Sequence, residues 1–293
     1  MSMNVFLLGG GTRLAAHLGA LEAIEECCGP IESWAGASAG SLIAAVRAAG
    51  YSHGMAVELM LETDYRQFFD LRPLELLRGY GLCSGKRLEK WLNVILRGVQ
   101  FKDLDAPLSV VCTNIETGEP VVFSPERTPD VNVAAAVRCS VGIPGLFSVK
   151  RLNGALLVDG GLTPIDESAL FPDRAESVFT IRMIRDRHSH PMRARFGWTE
   201  YVQRIASLLL DAGDDPRFFP APSQRILMIR TGRHSAVNFS LSAAEKQDLY
   251  DSGYDQCLEL LNRDRSHAAP TLQSILREVD ENLARLNEAT CAT

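Results

Sequence analysis

The amino-acid sequence predicts an α/β fold, with a central, mostly parallel sheet flanked by helices. Near the start of the chain, short apolar runs alternate with longer segments in which apolar residues recur every three or four positions. The first apolar run ends at three consecutive glycines, and the second ends at Gly-Ala-Ser-Ala-Gly. Such alternation of strands and helices indicates a parallel sheet whose connections are helical.

The individual elements follow from local patterns along the chain. Gly29-Pro30 and Gly50 end the first two helices, and Asn153-Gly154 is a strong two-residue hairpin signal between two short strands. Strands are predicted over residues 5–8, 31–36, 108–112, 121–123, 148–152, 155–158, 177–183 and 225–229. Helices are predicted over residues 14–27, 39–49, 249–261 and 272–286, with a helical cap over 52–100 that includes 84–97. Residues 184–223 are predicted to be irregular.

Length and composition favour one large domain. The 293 residues are 46% hydrophobic and 23% charged, and no repeat or linker divides them. We expect a single domain over residues 1–265 and a C-terminal helix over 266–293 that packs on or extends it. The formal net charge of −6 argues against nucleic-acid binding. The seven cysteines are scattered, so neither a disulfide framework nor a metal site is expected.

The sequence also indicates where in the cell the protein is expected. No apolar stretch reaches the roughly 18 residues that a membrane span needs, and the first residues lack the basic region of a secretory signal. We therefore expect a cytoplasmic protein, with peripheral membrane contact as an open alternative. The basic and aromatic stretch over residues 185–198 fits either a solvated loop or a membrane-facing patch, and isolated charge runs favour the loop.

Ser38 is the candidate nucleophile. It lies in Gly36-Ala37-Ser38-Ala39-Gly40, at the end of a predicted strand and the start of a predicted helix. A serine on so sharp a turn needs small neighbours, because other chain segments pass close to it. A tightly packed turn without chemistry is the alternative, and the motif alone does not exclude it.

A glycine loop is the second candidate feature. Gly9, Gly10 and Gly11 directly follow the first predicted strand, and consecutive glycines let backbone N–H groups point at an anion. This arrangement suits an oxyanion hole for acyl transfer. A dinucleotide-binding loop is less favoured, because Leu14 occupies the position of the third glycine of that motif.

Asp159 is the third candidate. It follows a predicted strand and precedes Gly160 and Gly161. A carboxylate at a strand end can reach into a cleft and act as a base toward a serine. An ordinary Asp-Gly turn would explain this segment equally well if it stood alone.

Taken together, these motifs resemble the patatin-like phospholipase family. The resemblance includes the glycine loop with Arg13, the Ser38 motif, the segment over residues 135–147 and Asp159-Gly160-Gly161, and it runs from about residue 4 to 262. It implies Ser38 as nucleophile, Asp159 as its base and an oxyanion hole at the glycine loop. The supporting residues would be Arg13, Gly36, Gly40, Gly160 and Gly161. Leu14 departs from the family, in which glycine is common at that position.

The resemblance also implies partners and substrates. We expect an ester hydrolase that acts on phospholipids or lysophospholipids without a metal or organic cofactor, and an activating partner is an open alternative. An α/β-hydrolase with a Ser-Asp-His triad is one alternative, and a lipid-binding protein without catalysis is another. For the triad, the histidines after Asp159 are His188, His190, His234 and His267. His17, on the first helix, is expected to pack near the glycine loop.

Overall fold

The computed structural model describes residues 3–71, 80–166, 169–171, 178–185, 197–213 and 225–267. By backbone packing the chain divides into two units, Met1–Leu258 and Glu259–Thr293. The first unit contains every candidate site residue. The second is described over residues 259–267, so the helix predicted over 272–286 lies outside the described residues, as does most of the segment 266–293.

A central sheet of eight strands organises the first unit. Ten strands are described in this unit, and eight of them form the central sheet. The ten are β1 (Met3–Leu8), β2 (Ile31–Ala37), β3 (Gly81–Cys83), β4 (Leu108–Asn114), β5 (Pro120–Phe123), β6 (Gly145–Phe147), β7 (Lys150–Leu152), β8 (Ala155–Val158), β9 (Val178–Ile184) and β10 (Arg225–Arg230). The sheet order is β10-β9-β1-β2-β4-β8-β7, with β5 also paired to β4, while β3 and β6 form a separate parallel pair. The five strands from β10 to β4 are parallel, and β5, β8 and β7 join antiparallel. The predicted mostly parallel sheet is confirmed.

Helices connect and flank these strands. They are α1 (Leu14–Cys28), α2 (Ala39–Ala48), α3 (His53–Glu62), α4 (Lys86–Ile95), α5 (Val133–Ser140), α6 (Trp198–Gly213) and α7 (Ala243–His267). A short 3₁₀ turn, Tyr65–Phe68, follows α3. In the described ranges no helix combines the length and the apolar character that a membrane crossing requires.

Several predicted elements match the structure closely. The hairpin at Asn153-Gly154 joins β7 to β8, and both turn residues have positive φ, 52° and 83°. This is the backbone conformation that an Asn-Gly turn favours. The first two strands and helices also lie within one or two residues of their predicted bounds.

Other predictions were wrong. Residues 198–213 form α6, although the whole stretch 184–223 was predicted to be irregular. Tyr201, Ile205 and Leu208 are exposed, so α6 does not place its apolar residues on one buried face. The cap also contains β3, whose three residues are too few to show an alternating pattern. Residues 186–196 and 214–224 lie outside the described residues.

Strand register brings distant segments to one edge of the sheet. Leu8 pairs with Ala37, so the glycine loop and Ser38 leave β1 and β2 side by side. Ala37 in turn pairs with Val111 on β4. β8 runs antiparallel to β4 and pairs Val158 with Thr113. Asp159, which follows β8, therefore lies level with Ser38, which directly precedes α2.

The close packing of α2 on β1 gives a stability prediction. A Cβ atom added to Gly40 would lie 2.2 Å from the carbonyl oxygen of Leu7, a backbone atom. Gly40→Ala should therefore lower the free energy of unfolding by roughly 1–3 kcal/mol, as overpacking does. Gly54→Ala is the matched control, because nothing lies within 4 Å of its added Cβ. Gly54 lies in the first turn of α3, where Gly54→Ala should stabilise by about 0.4–1 kcal/mol because it restricts the unfolded chain.

Urea unfolding of both variants measures the two changes. Equal stability of the Gly40 and Gly54 variants would contradict the close packing of α2 against β1.

Candidate active site

Ser38 lies in a strained turn between β2 and α2. Its φ of 54° and ψ of −135° fall in a region that residues with a side chain rarely occupy. The flanking glycines permit this turn, since a Cβ on Gly36 would lie 2.3 Å from the Cα of Ser41. A Cβ on Gly40 would likewise lie too close to the backbone of Leu7 in β1. The local conformation is that of a nucleophile elbow, which presents the hydroxyl at the start of a helix.

The Ser38 hydroxyl donates a hydrogen bond to Asp159. The distance from Ser38 Oγ to Asp159 Oδ2 is 2.8 Å, and both residues are buried. The other carboxylate oxygen, Oδ1, accepts a 2.8 Å hydrogen bond from the Gly161 amide. Gly160 lets this segment approach β4, because a Cβ there would lie 2.0 Å from the carbonyl oxygen of Val111. The structure thus brings the two predicted catalytic side chains together.

Burial changes the acid–base behaviour of Asp159. It raises the pKa of the carboxyl from 3.8 to about 7, although the hydrogen bonds from Gly161 and Ser38 act in the opposite direction. A carboxylate with this pKa is a much stronger base than an exposed aspartate. It is also still ionised in a large fraction of molecules near neutral pH, so it can accept the proton of a serine hydroxyl.

Ser140 supports the turn and was not identified from the sequence. Its hydroxyl accepts a 3.0 Å hydrogen bond from the Ser38 amide and donates one of 2.6 Å to the carbonyl oxygen of Val111. The last residue of α5 thereby links the turn to β4. Ser140 lies within the segment that carries the family resemblance, but only the tertiary contact reveals what it does.

The glycine loop has an unusual backbone. Gly9, Gly10 and Gly11 have φ values of 73°, 106° and 55°, which glycine adopts readily and other residues do not. At Gly11 a Cβ would also lie 2.1 Å from the carbonyl oxygen of Ala236. Only glycine fits both the conformation and the space at this position.

Two buried side chains hold the carbonyl groups of the loop. His17 Nε2 lies 3.1 Å from the Gly9 oxygen, and Arg13 donates to the Gly10 oxygen from Nε at 2.8 Å and from its amide at 3.0 Å. In a trans peptide the C=O and the following N–H point in opposite directions. The amides of Gly10 and Gly11 therefore point away from His17 and Arg13.

These two amides are available to an anionic oxygen. In the part of the chain that the structure describes, neither the Gly10 nor the Gly11 amide donates to an acceptor. Gly11 lines the same pocket as Ser38. Backbone donors arranged beforehand around a nucleophile are what an oxyanion hole requires.

His17 stays neutral in this position. Burial lowers its pKa from 6.5 to about 4, against the opposing effect of the hydrogen bond to Gly9, and Arg13 lowers it further. Since a carbonyl oxygen only accepts, Nε2 carries the proton and donates to Gly9. Arg13 is held in turn by a 2.8 Å hydrogen bond from its Nη1 to the hydroxyl of Thr231.

An apolar pocket opens beside Ser38. Phe68 and Trp91 meet edge to face in its wall, with ring centroids 5.1 Å apart. The other apolar side chains that line it are Leu14, Ala39, Leu42, Met60, Tyr65, Leu88, Val141, Ile143, Phe147, Ala236 and Phe239. Leu14, the departure from the family pattern, is buried and forms part of this wall. The pocket suits a hydrocarbon chain that ends at the Ser38 hydroxyl.

No described histidine hydrogen-bonds to Ser38 or Asp159. His188 and His190 lie outside the described residues, and nothing is described of the His267 side chain. Within the described ranges, no group of three or more His, Cys, Asp or Glu side chains is placed to hold a metal ion.

Comparison with known sequences identifies relatives. The family model described as patatin-like phospholipase matches residues 5–168, more than half of the chain. The uncharacterized protein YqhO of Bacillus subtilis is 28% identical over 270 residues, which cover 84% of this chain and 93% of that protein. An uncharacterized NTE family protein of Mycobacterium tuberculosis is 31% identical over 157 residues, which cover 52% of this chain and 41% of that protein.

Solved structures share the fold. VipD from Legionella pneumophila matches with a TM-score of 0.65 at 18% identity, covering 89% of this chain and 67% of VipD. ExoU, in its complex with SpcU from Pseudomonas aeruginosa, matches with a TM-score of 0.53 at 16% identity, covering 99% of this chain and 60% of ExoU. At these identities the matches establish the architecture, and the predicted fold class is confirmed.

The raised pKa of Asp159 predicts a pH dependence of stability. The unfolded carboxyl ionises near pH 3.8 and the folded one near pH 7. The protonated carboxyl therefore stabilises the fold fully below pH 3.8, and this stabilisation is lost as the pH rises through 7. Between pH 5 and 8 the free energy of unfolding of the wild type should fall by roughly 2–3 kcal/mol, whereas that of the Asp159→Asn variant should not fall for this reason.

Urea unfolding at a series of pH values measures this difference. Ser38→Ala removes a hydrogen bond that lowers the pKa of Asp159, so its loss of stability should shift to higher pH. Parallel pH profiles for the wild type and Asp159→Asn would refute the shift.

Proposed function

Since the chain belongs to the patatin-like phospholipase family, and so is a lipid hydrolase, we propose that Ser38 and Asp159 form its catalytic dyad. One observation carries the proposal: the 2.8 Å hydrogen bond from Ser38 Oγ to Asp159 Oδ2 inside a buried, mostly apolar site. The substrates would be phospholipids or lysophospholipids, from which the enzyme releases an ester-linked fatty acid.

In the first half-reaction Ser38 attacks the ester. Asp159 Oδ2 takes the hydroxyl proton as Oγ bonds to the carbonyl carbon, and the carbonyl oxygen becomes an oxyanion. The Gly10 and Gly11 amides donate to that oxyanion. When the tetrahedral intermediate collapses, Asp159 returns the proton to the leaving alcohol, and the acyl group remains on Ser38.

In the second half-reaction water replaces the alcohol. Asp159 takes a proton from water, whose oxygen attacks the acyl carbonyl carbon, and the same two amides hold the new oxyanion. Collapse breaks the bond to Ser38 Oγ, which receives the proton from Asp159. The fatty acid leaves and the dyad is restored, without a metal or organic cofactor in any step.

The surroundings of the dyad support lipid esters as substrates. The apolar pocket begins at Ser38 and is lined by Leu42, Met60 and Phe147 among others, which suits an acyl chain. Exposed apolar side chains on α6, including Tyr201 and Leu208, support peripheral contact with a lipid surface. Of the basic and aromatic stretch over residues 185–198, residues 186–196 lie outside the described residues.

Mutation of the dyad separates this mechanism from a Ser-Asp-His triad. Ser38→Ala should abolish ester hydrolysis and labelling by a fluorophosphonate probe. Asp159→Asn should lower kcat by roughly 10²–10⁴-fold, the usual contribution of a general base. His234→Gln should change kcat less than about two-fold, because a histidine outside the site moves no proton in the reaction.

Steady-state kinetics on a short soluble ester provides the measurement, with thermal melts to confirm folding. His188→Gln, His190→Gln and His267→Gln complete the series. If one of these histidines is as essential as Ser38, the triad is correct and the dyad is wrong. Probe labelling of Ser38→Ala equal to that of the wild type would exclude Ser38 as the nucleophile.

His17 provides a test of the glycine loop. His17→Leu removes the donor that fixes the Gly9 carbonyl and so loosens the Gly10 amide. We expect kcat to fall by roughly 10–100-fold, less than the loss from removing an oxyanion donor outright. KM should change little, because the loop holds the transition state rather than the acyl chain.

His17→Gln is the matched variant, since its amide can donate to the same carbonyl and should restore part of kcat. Equal kcat for the Leu and Gln variants, both folded, would show that the hydrogen bond does not position the loop.

A further inference from the structure

The end of α5 contacts the backbone of both residues of the proposed dyad. Ser140, the last residue of α5, accepts a 3.0 Å hydrogen bond from the Ser38 amide through its hydroxyl oxygen. Just beyond it, the Gly142 carbonyl oxygen accepts a 3.0 Å hydrogen bond from the Asp159 amide. We call residues 140–142 the α5 turn. The two amides are 121 positions apart in the chain, and this one turn binds both of them.

The Ser140 hydroxyl lies where the pairing of β2 with β4 ends. Ala37 and Val111 are the last paired residues of these two strands. The hydroxyl then bridges the next amide, that of Ser38, to the Val111 carbonyl oxygen, to which it donates at 2.6 Å. Gly160 leaves room for this bridge, since a Cβ atom there would lie 3.2 Å from Ser140 Oγ. Ser140 therefore fixes the Ser38 backbone relative to the sheet.

Ser38 needs such a contact because its backbone is strained. A residue with a φ of 54° and a ψ of −135° keeps that conformation only where its surroundings hold it. Its carbonyl oxygen is held within α2, by the Ser41 amide at 3.0 Å and the Ser41 hydroxyl at 2.6 Å. Its amide is held from a different helix, by Ser140. Loss of the Ser140 hydroxyl would thus release one side of the strained residue.

The end of α5 is itself firmly anchored. Arg138 is buried and donates from Nη2 to the carbonyl oxygens of Ser84 at 3.0 Å and Ser148 at 2.8 Å. Its guanidinium carbon lies 5.2 Å from the centroid of the Phe147 ring. Gly85 permits this burial, because a Cβ there would lie 2.0 Å from Arg138 Nε. A residue that positions a reacting group must itself be held in place, and these contacts hold α5.

We propose that Ser140 is a positioning residue for proton transfer, which keeps Ser38 Oγ within hydrogen-bonding distance of Asp159 Oδ2 by holding the Ser38 amide. The Gly142 carbonyl holds Asp159 from the same turn, so one short segment sets the position of both partners. Proton transfer requires the 2.8 Å contact between the two side chains, and a small displacement of either one weakens it. This assignment rests on the proposed dyad and adds to it a residue that acts through Ser38.

The ionisation of Asp159 depends on whether this contact is intact. The hydrogen bond from Ser38 lowers the pKa of the carboxyl, against the larger opposing effect of burial. Weakening that bond therefore raises the pKa further, so the carboxylate needed as a base forms only at higher pH. The Cys112 thiol on β4 also interacts with Asp159, but burial raises the pKa of this thiol well above its ordinary value, so it stays neutral. The acidic limb of the kcat profile thus measures the Ser38–Asp159 contact.

The first test measures kcat and KM for a short soluble ester as a function of pH. Ser140→Ala should lower kcat by roughly 10–100-fold, the effect of a misplaced reacting group. KM should change little, because Ser140 is not among the described residues that line the apolar pocket. The acidic limb of kcat should move up by roughly 0.5–1 pH unit, since losing part of a hydrogen bond to a charged group changes an ionisation constant by about three- to ten-fold.

Ser124→Ala is the matched control. The Ser124 hydroxyl, also buried, accepts from the Arg127 amide at 3.3 Å and donates to Glu126 at 2.7 Å, so it has the same pattern of partners within one loop after β5. Its loss should leave kcat and the acidic limb unchanged. Ser140→Cys is the conservative variant. Its thiol is a weak donor and acceptor, so its kcat and acidic limb should lie between those of the wild type and Ser140→Ala. It carries the same test if Ser140→Ala does not fold.

Urea unfolding at a series of pH values separates this proposal from the hydrolase function, because it needs no substrate. The pH at which the fold loses the stability linked to Asp159 should be higher in Ser140→Ala than in the wild type. The double variant Ser38→Ala, Ser140→Ala should lose it at the same pH as Ser38→Ala, because Ser140 acts through Ser38. If the wild type hydrolyses no ester, the hydrolase function fails, and these two results would still support the positioning role.

Three results would overturn the proposal and leave the hydrolase function intact. The first is a Ser140→Ala variant with the kcat, the acidic limb and the unfolding profile of the wild type. The second is a fall in kcat without a change in either pH profile, which would make Ser140 a purely structural residue. The third is an additive change in the double variant, which would show that Ser140 affects Asp159 by a route other than Ser38.

Discussion

The buried hydrogen bond between Ser38 and Asp159 is the constraint on which the rest of the site depends. It joins residues 121 positions apart, and both side chains are buried. Two polar groups in such a place need partners, or their burial costs stability. The glycines at 36, 40 and 160 let three backbone segments approach closely enough to supply them. Close backbone packing and the proposed chemistry are therefore two aspects of one arrangement.

Hydrogen bonds also fix the glycine loop, but there they hold backbone carbonyl groups, so that the following N–H groups are oriented. An amide N–H next to a nucleophile can bind an oxyanion only if it points toward that oxygen. A glycine backbone is too flexible to fix this direction by itself. His17 and Arg13 hold the Gly9 and Gly10 carbonyls from behind, so each following amide points in a fixed direction. Donors that are oriented in advance need no reorganisation when charge develops on the substrate.

The sequence predicted the parts of the site that have local signatures. Ser38, Asp159 and the glycine loop each lie at a strand end marked by glycines, and the Asn153 hairpin has its own turn chemistry. Ser140 could not be predicted in this way. Its hydroxyl links the Ser38 amide to the Val111 carbonyl of β4, and only the folded chain brings these groups together. Likewise, β3 has only three residues and forms by pairing with β6, a contact that local sequence patterns do not reveal.

The apolar surroundings of the proposed dyad explain how its carboxylate could take the role of an imidazole. Histidine is the usual base because its ordinary pKa of about 6.5 lies near physiological pH. Burial brings the pKa of Asp159 to about 7, into the same range. The apolar environment that would favour an acyl chain also raises the basicity of the carboxylate, as the proposed proton transfer from serine requires. The proposed dyad needs no third residue to orient an imidazole, because the Gly161 amide already fixes the carboxylate.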